Sequence, residues 1–275
     1  MSAGVPAPNP RISCRLLYQD DHVRVGDKPA RLVTLPGKGH EHDTLLNGLM
    51  AVFGDRLRNL GSDRSFGLLH RLDKGTSGVL IVALTTDAYD GLRSQFESRR
   101  IEKYYWAVCH KAPASSKGVI TKPIAEREIR TSAYATRKEA RLASGGQQAV
   151  TAYRVVEDSS LAALIEARAV TGRLHQVRLH LDFIGSAILG DSLYGPKNVR
   201  KASSRLALHA HRIAFTHPVT GGKVDARSPW PRDLRPLLLR MKLSMPRHGP
   251  RAAGEDAVVD GGREVAGDGV GSQQT

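Results

Sequence analysis

Asp73 sits in the run Leu69-His70-Arg71-Leu72-Asp73-Lys74-Gly75-Thr76-Ser77-Gly78, directly before the apolar stretch Val79-Leu80-Ile81-Val82-Ala83. A polar loop feeding a buried strand presents its carboxylate rigidly, and Gly75 and Gly78 allow backbone or ligand to come close. Asp73 is therefore a candidate nucleophile or base. A plainer reading of the same run is a turn in which Asp73, Thr76 and Ser77 only satisfy backbone amides.

A second run shifts the balance. Thr171-Gly172-Arg173-Leu174-His175-Gln176-Val177-Arg178-Leu179-His180 opens a helix predicted over Leu174 to Ile184 and stopped by Gly185. Its apolar side holds Leu174, Val177, Leu181 and Ile184, and Arg178 falls against that side. A guanidinium turned toward a core needs a carboxylate, because an unpaired buried charge is costly. Asp73 is the first candidate partner, with Asp182 and Glu166 as alternatives. A pair between Arg178 and Asp73 would fix the direction of the carboxylate oxygens, which suits attack or charge stabilisation at a sugar or base carbon.

The elements that must position these groups alternate short β-like runs with a few helices. Strands are predicted over Val23 to Asp27, Gly78 to Leu84, Glu102 to Cys109, Val119 to Glu126, Ala149 to Glu157, Leu161 to Ala169 and Arg212 to Thr216. His217 to Gly222 reads as a hairpin turn into Lys223 to Ala226. Further helices are predicted over Leu45 to Phe53, capped by Asp43 or Thr44, over Tyr89 to Arg99, capped from Thr86 or Asp87, and over Leu234 to Leu243. Many strands and few helices give an α+β fold class with a mixed, mainly antiparallel sheet. Residues 14–244 are expected to form one domain. Residues 1–13 read as a disordered lead-in, and residues 245–275, rich in Gly and Ala and poor in large apolar side chains, as a disordered acidic tail.

Lys and Arg total 41 against 27 acids, a formal charge of +14. Such a balance fits a polyanionic partner or serves solubility, and composition does not separate the two. Cys14 and Cys109 are the only cysteines, which excludes a disulfide framework and a zinc module. The N-terminus lacks the apolar core of a signal peptide, and no run approaches the ~18 apolar residues of a membrane span. A cytoplasmic protein without membrane attachment is expected. His40 and His42 form one histidine cluster and His209, His211 and His217 another, but alternation puts only His209 and His211 on one strand face and the sequence shows neither a third ligand nor a supporting shell, so metal binding is suggested only weakly. No metal is expected.

With these residues in view, the chain resembles the RluA family of pseudouridine synthases. His70-Arg71-Leu72-Asp73 followed by Thr76-Ser77-Gly78 matches that family's catalytic loop, and Gly172-Arg173-Leu174-His175-Gln176-Val177-Arg178 matches its second signature. Lys103-Tyr104-Tyr105-Trp106-Ala107, Gly190-Asp191 with Tyr194-Gly195, Leu208-His209-Ala210 and His217-Pro218 follow in the family's order, so the resemblance spans roughly residues 14–240. It implies a pseudouridine synthase fold with a cleft across the sheet, and an RNA isomerase that needs no cofactor and acts on uridines of rRNA or tRNA. It also implies Asp73 as catalytic aspartate, Arg178 as its ion-pair partner and Tyr105 as the tyrosine beside the base. Tyr104 is excluded by its spacing from Lys103, and strand alternation puts the two rings on opposite faces. RNA contacts are expected from His70, Arg71, Lys74, Thr76, Arg173, His175 and Gln176, with solvated surface charge as the alternative for the basic ones. Arg31 replaces the glycine of the family's K-P-x-G turn, which puts that turn's local conformation in question. A monomer is expected.

Two other function classes compete. Asp73-Lys74-Gly75-Thr76-Ser77 superficially resembles the D-K-T-G-T loop of phosphoryl-transfer aspartates, but the order of Gly and Thr differs and no second acidic motif follows to hold magnesium. A non-catalytic RNA-binding protein on the same fold would not require Asp73, Tyr105 and Arg178 together.

Overall fold

The computed structural model describes residues 4–132 and 135–248, so residues 249–275, most of the expected tail, and residues 1–3 lie outside the described residues. The element order is β1 (Arg15–Gln19), β2 (Val23–Lys28), α1 (Leu45–Leu60), β3 (Ser77–Ala83), α2 (Thr86–Glu97), β4 (Glu102–Cys109), β5 (Lys117–Ile120), β6 (Ile124–Ser132), β7 (Ala135–Leu142), β8 (Thr151–Asp158), β9 (Ala163–Ala169), α3 (Gln176–Phe183), α4 (Lys197–Lys201), β10 (Leu208–Thr216), β11 (Lys223–Arg227) and α5 (Arg235–Arg240).

Nine strands form one sheet in the order β1-β2-β3-β10-β4-β9-β8-β5, with β11 also pairing with β10. β3 and β10 run parallel, and the other strand pairings are antiparallel, so the sheet is the mixed, mainly antiparallel one predicted. All seven residues of β3 are buried, which is why its sequence is a continuous apolar run rather than an alternating one. β6 and β7 form a separate hairpin. No helix among the described residues is long and apolar enough to cross a membrane.

Local chemistry explains where the predicted elements shift. Thr44 caps α1 in a capping box with Asn47, and the helix runs past Phe53 because Leu57 and Leu60 continue its buried face until Gly61 takes a positive φ of 68°. α2 is capped by Thr85, not by Thr86 or Asp87, its hydroxyl accepting the Ala88 amide. The single strand predicted over Val119 to Glu126 is split into β5 and β6, with Pro123, which has no N–H for a ladder, in the gap. α3 begins at Gln176 rather than Leu174, because His175 adopts a left-handed conformation with φ 54°. Ahead of residue 14 the chain lies against α1, where the Asn9 amide donates to the Asn47 carbonyl at 2.8 Å.

Two large apolar clusters fill the molecule. One joins α1 and α2 to β2 and β3; the other joins β4, β9 and the first turns of α3 to α5. Tyr105 on β4 packs against both, which places it at their boundary beneath the site.

Candidate active site

The loop that carries Asp73 is fastened on both sides. Thr34 Oγ1 donates to the Leu72 carbonyl at 2.8 Å and accepts the Leu72 amide at 3.2 Å. The Arg31 amide donates to the Lys74 carbonyl at 2.6 Å, and the Thr76 amide to the Asp73 carbonyl at 3.0 Å. Beyond the turn, Ser77 Oγ meets His209 Nδ1 at 2.9 Å, and Gly78 comes so close to β10 that a Cβ there would stand 2.1 Å from the Ala210 carbonyl oxygen. Arg31 holds φ 69°, the conformation in which glycine is at ease, so the turn forms with a side chain in a glycine's seat.

α3 brings Arg178 to this loop. Arg178 Nη1 donates to Asp73 Oδ2 at 2.8 Å, as predicted, and neither Asp182 nor Glu166 is its partner. A second carboxylate, Asp191, accepts Nε at 2.8 Å and Nη2 at 2.7 Å. Burial alone would weaken the arginine's charge, but the two carboxylates outweigh it and push its pKa further up. Asp191 also accepts the Leu193 and Tyr194 amides, so it is fixed by its own turn.

His175 stands beside the pair, its Nε2 3.8 Å from Asp73 Oδ2 and its Nδ1 2.8 Å from the Tyr194 hydroxyl. Tyr194 donates its one proton to the Ala140 carbonyl at 2.9 Å, so Nδ1 carries the imidazole proton and Nε2 faces Asp73. Burial lowers the His175 pKa despite the nearby Asp73 charge. Burial first, and Asp73 second, raise the pKa of the Tyr105 phenol, which therefore stays neutral. Lys28 is 1% exposed, its Nζ donating to the Pro29 and Leu32 carbonyls, and burial pulls its pKa down to about 7 against the opposing pull of Asp73.

These groups open on a cleft of about 780 Å³ lined by Asp73, Tyr105, Arg178, His70, Arg71, Thr76, Arg173, His175 and Gln176. Lys74, expected among the RNA contacts, is not in that lining; its Nζ turns to His40 Nε2 at 3.2 Å. Gln176 is 4% exposed, and all its hydrogen-bonding capacity is spent within the protein: Oε1 on Thr171 Oγ1 and the Arg173 amide, Nε2 on the Val150 carbonyl and Thr151 Oγ1. It shapes the turn into α3 and offers no polar atom to RNA. Thr76 is 2% exposed, and His70 Nε2 accepts the Ile81 amide at 2.9 Å while burial drives its pKa to about 3, so His70 is a neutral prop rather than a phosphate contact. Arg71 and Arg173 remain as cationic lining, joined by Arg99 and Lys138, which sequence reasoning did not single out, and by Lys103, which the sequence offered only as the marker for Tyr105. Burial and the Arg173 charge lower the Lys103 pKa to about 8.

The arrangement offers one oriented carboxylate, one neutral aromatic ring and a cationic rim, which together can grip a nucleotide and act on its sugar or base. Among the described residues no three His, Cys, Asp or Glu side chains are grouped to hold a metal ion. A family model described as RNA pseudouridylate synthase matches residues 22–183. The chain is 35% identical over 253 residues to the ribosomal large subunit pseudouridine synthase D of Zymomonas mobilis, covering 87% of this chain and 78% of that one. It is 39% identical over 243 residues to the protein of the same name from Xanthomonas campestris, covering 84% and 70%. The solved structure of human RNA pseudouridylate synthase domain containing 4 superposes with a TM-score of 0.61 at 27% identity, covering 84% of this chain and 94% of that one. Fold, loop, helix and relatives agree, and the chain belongs to the RluA family of RNA pseudouridine synthases.

Proposed function

We propose that this enzyme isomerises uridine in ribosomal RNA, with Asp73 as the reacting carboxylate, Arg178 as the group that orients it and Tyr105 as the ring beside the base. The observation that carries this reading is the 2.8 Å contact between Arg178 Nη1 and Asp73 Oδ2 at the floor of a cationic cleft that Tyr105 also lines. Ribosomal RNA is favoured over transfer RNA because the relatives just described are named for the large ribosomal subunit.

The reaction breaks the bond from uracil N1 to C1′, turns the base within the pocket and joins C5 to C1′; C5 then gives up its proton and N1, freed from the sugar, takes one up, so that the product is an isomer of the substrate. Asp73 acts by adding to a carbon of the sugar or base or by taking a sugar proton, while the Arg178 guanidinium holds its Oδ2 in place. Extruding the uridine costs a few kcal/mol, which Arg71, Lys103 and Arg173 offset by holding phosphates. We take residues 14–244 as the catalytic unit, acting as a monomer in the cytoplasm.

Asp73→Asn is expected to abolish isomerisation while leaving RNA affinity within a few-fold. Pseudouridine mapping by carbodiimide-dependent reverse-transcription stops, in cells with and without the gene, identifies the target. Loss of a transfer RNA site with every ribosomal site intact would refute the choice of ribosomal RNA, and no lost site at all would refute the activity.

A further inference from the structure

His175 holds φ 54° at the start of α3, a left-handed conformation that costs a residue with a Cβ of order 1 kcal/mol. With that backbone its ring lines the cleft, 12% exposed. The ring is fixed at one nitrogen and open at the other. Nδ1–H donates to the Tyr194 hydroxyl at 2.8 Å, and that hydroxyl spends its own proton on the Ala140 carbonyl of β7. Nε2 therefore keeps a lone pair, 3.8 Å from Asp73 Oδ2.

Asp73 and Arg71 face this imidazole from the catalytic loop, Arg178 from α3, and Asp191 and Tyr194 from the turn beyond it. Burial outweighs the pull of Asp73 and holds the ring's pKa below its ordinary value, so at neutral pH the ring is neutral. A proton arriving on Nε2 would face the Asp73 oxygen as an imidazolium beside a carboxylate, which brings the charged form within reach. Such a ring can take up a proton and release it again.

The isomerisation needs a group of this kind. Once C5 has joined C1′, the proton on C5 lies close to C1′ and must leave while N1 gains one, so its acceptor has to stand beside the atoms on which Asp73 acts. Other groups of the cleft are spoken for. The Tyr105 phenol holds its proton, His70 Nε2 is occupied by the Ile81 amide, and Lys103 Nζ donates to the Thr171 carbonyl at 3.4 Å beside the Arg173 charge. Glu97 is held by Arg93 at 2.9 Å, and Glu126 stands exposed on β6. We propose that His175 is the proton carrier of the reaction: its Nε2 takes the proton from C5 and delivers it to N1. The C5–H electron pair closes the C5–C6 double bond, the π pair between C6 and N1 moves onto N1 to bind the proton, and Nε2 ends as it began. The proposal rests on the uridine-isomerase reading and gives Asp73 a second catalytic group as companion.

The test is single-turnover reaction at saturating RNA, with either uridine or 5-fluorouridine at the target position. Fluorine at C5 leaves no proton there once C5 joins C1′, so the fluorinated RNA reads bond breaking and joining alone. His175→Asn suits the left-handed backbone and keeps a donor for the Tyr194 hydroxyl, but puts nothing in the place of Nε2. His175→Gln reaches that place with an amide that is not basic. Each variant, checked for folding by circular dichroism, is expected to form pseudouridine roughly 100-fold more slowly than wild type, the usual worth of a general base. Each should join the fluorinated base to C1′ within a few-fold of the wild-type rate, read by chromatography of the nucleoside digest. A wild-type rate of pseudouridine formation in either folded variant overturns the proposal. Equal slowing on both RNAs also overturns it, since His175 would then only support Asp73, and so does a loss confined to RNA affinity, which would make His175 an RNA contact. Failure of the isomerase reading is separately visible, because wild type itself would then give neither pseudouridine nor the joined fluorinated product.

Discussion

Asp191 grips the Nε and Nη2 edge of Arg178 with both carboxylate oxygens, leaving Nη1 for Asp73. The reacting acid is thus aimed by an arginine that is itself aimed, and the buried guanidinium has an acceptor on each side.

Asp191→Asn should therefore damage the reaction without touching the substrate. Half of the fork is lost, Arg178 loosens, and a shift of order 1 Å at Asp73 lowers the single-turnover rate roughly 100-fold. Removing one carboxylate from a buried pair should also cost about 2–4 kcal/mol of stability, read by urea unfolding. An unchanged single-turnover rate would show that Arg178 needs no second partner.

Tyr105 is predicted to act through its ring. Its phenol stays protonated because burial and the Asp73 charge raise its pKa, so Tyr105→Phe should bind substrate RNA within a few-fold of wild type. Tyr105→Ala should weaken binding by about 1–3 kcal/mol, the worth of one base stacked on an aromatic ring. Equal losses in the two variants, measured by filter binding, would assign the role to the hydroxyl instead.

Stability should fall as pH drops below about 6.5. His209 is 1% exposed and held neutral between Ser77 and Ser228, and burial lowers its pKa from 6.5 to about 3. Above pH 6.5 neither the folded nor the unfolded ring holds the extra proton; below it the unfolded ring gains one that the folded ring refuses. Each pH unit between 6.5 and 3 then costs the folded state about 1.4 kcal/mol through this residue. Urea unfolding from pH 6.5 to 4.5 checks this, and His209→Gln should reduce the slope by about one proton; an unaltered slope would place the effect elsewhere.

Arg31→Gly should raise stability by roughly 0.5–1 kcal/mol, because a left-handed side-chain residue gives way to one with no Cβ penalty. Thermal unfolding reads the difference. A loss would mean that the Arg31 side chain, whose Nη2 reaches the Ser204 carbonyl at 3.5 Å, does more for the fold than its backbone conformation costs.

Much of the site was legible in the sequence because its residues occupy short contiguous runs. The loop before β3 and the turn into α3 each carry their polar groups within ten positions, and Lys103 fixes which of two adjacent tyrosines faces the cleft. β4 was read to the residue, since its aromatic and β-branched run has clear ends. Asp191 was quoted within a motif yet given no role, although donor counting pointed to it: a buried guanidinium has five N–H donors, and one carboxylate leaves too many unsatisfied. Gln176 misled in the opposite sense, because a polar residue in a signature run reads as a ligand contact until its partners are seen. β7 escaped notice because Ala135–Leu142 is dominated by polar and charged residues, with Ala140 and Leu142 as its only contribution to an apolar cluster among the described side chains, and because its ladder partner is the neighbouring hairpin arm β6.

The near-contact of Gly78 with the Ala210 carbonyl has a wider consequence for how this protein can change. Main chain rests on main chain there, at the parallel joint of the sheet and five positions downstream of the acid. A methyl group at that point would act as a wedge, prying β3 from β10 and swinging the loop away from α3. The tolerance of the whole reaction to sequence drift is thus limited at a residue with no side chain of its own to act on substrate.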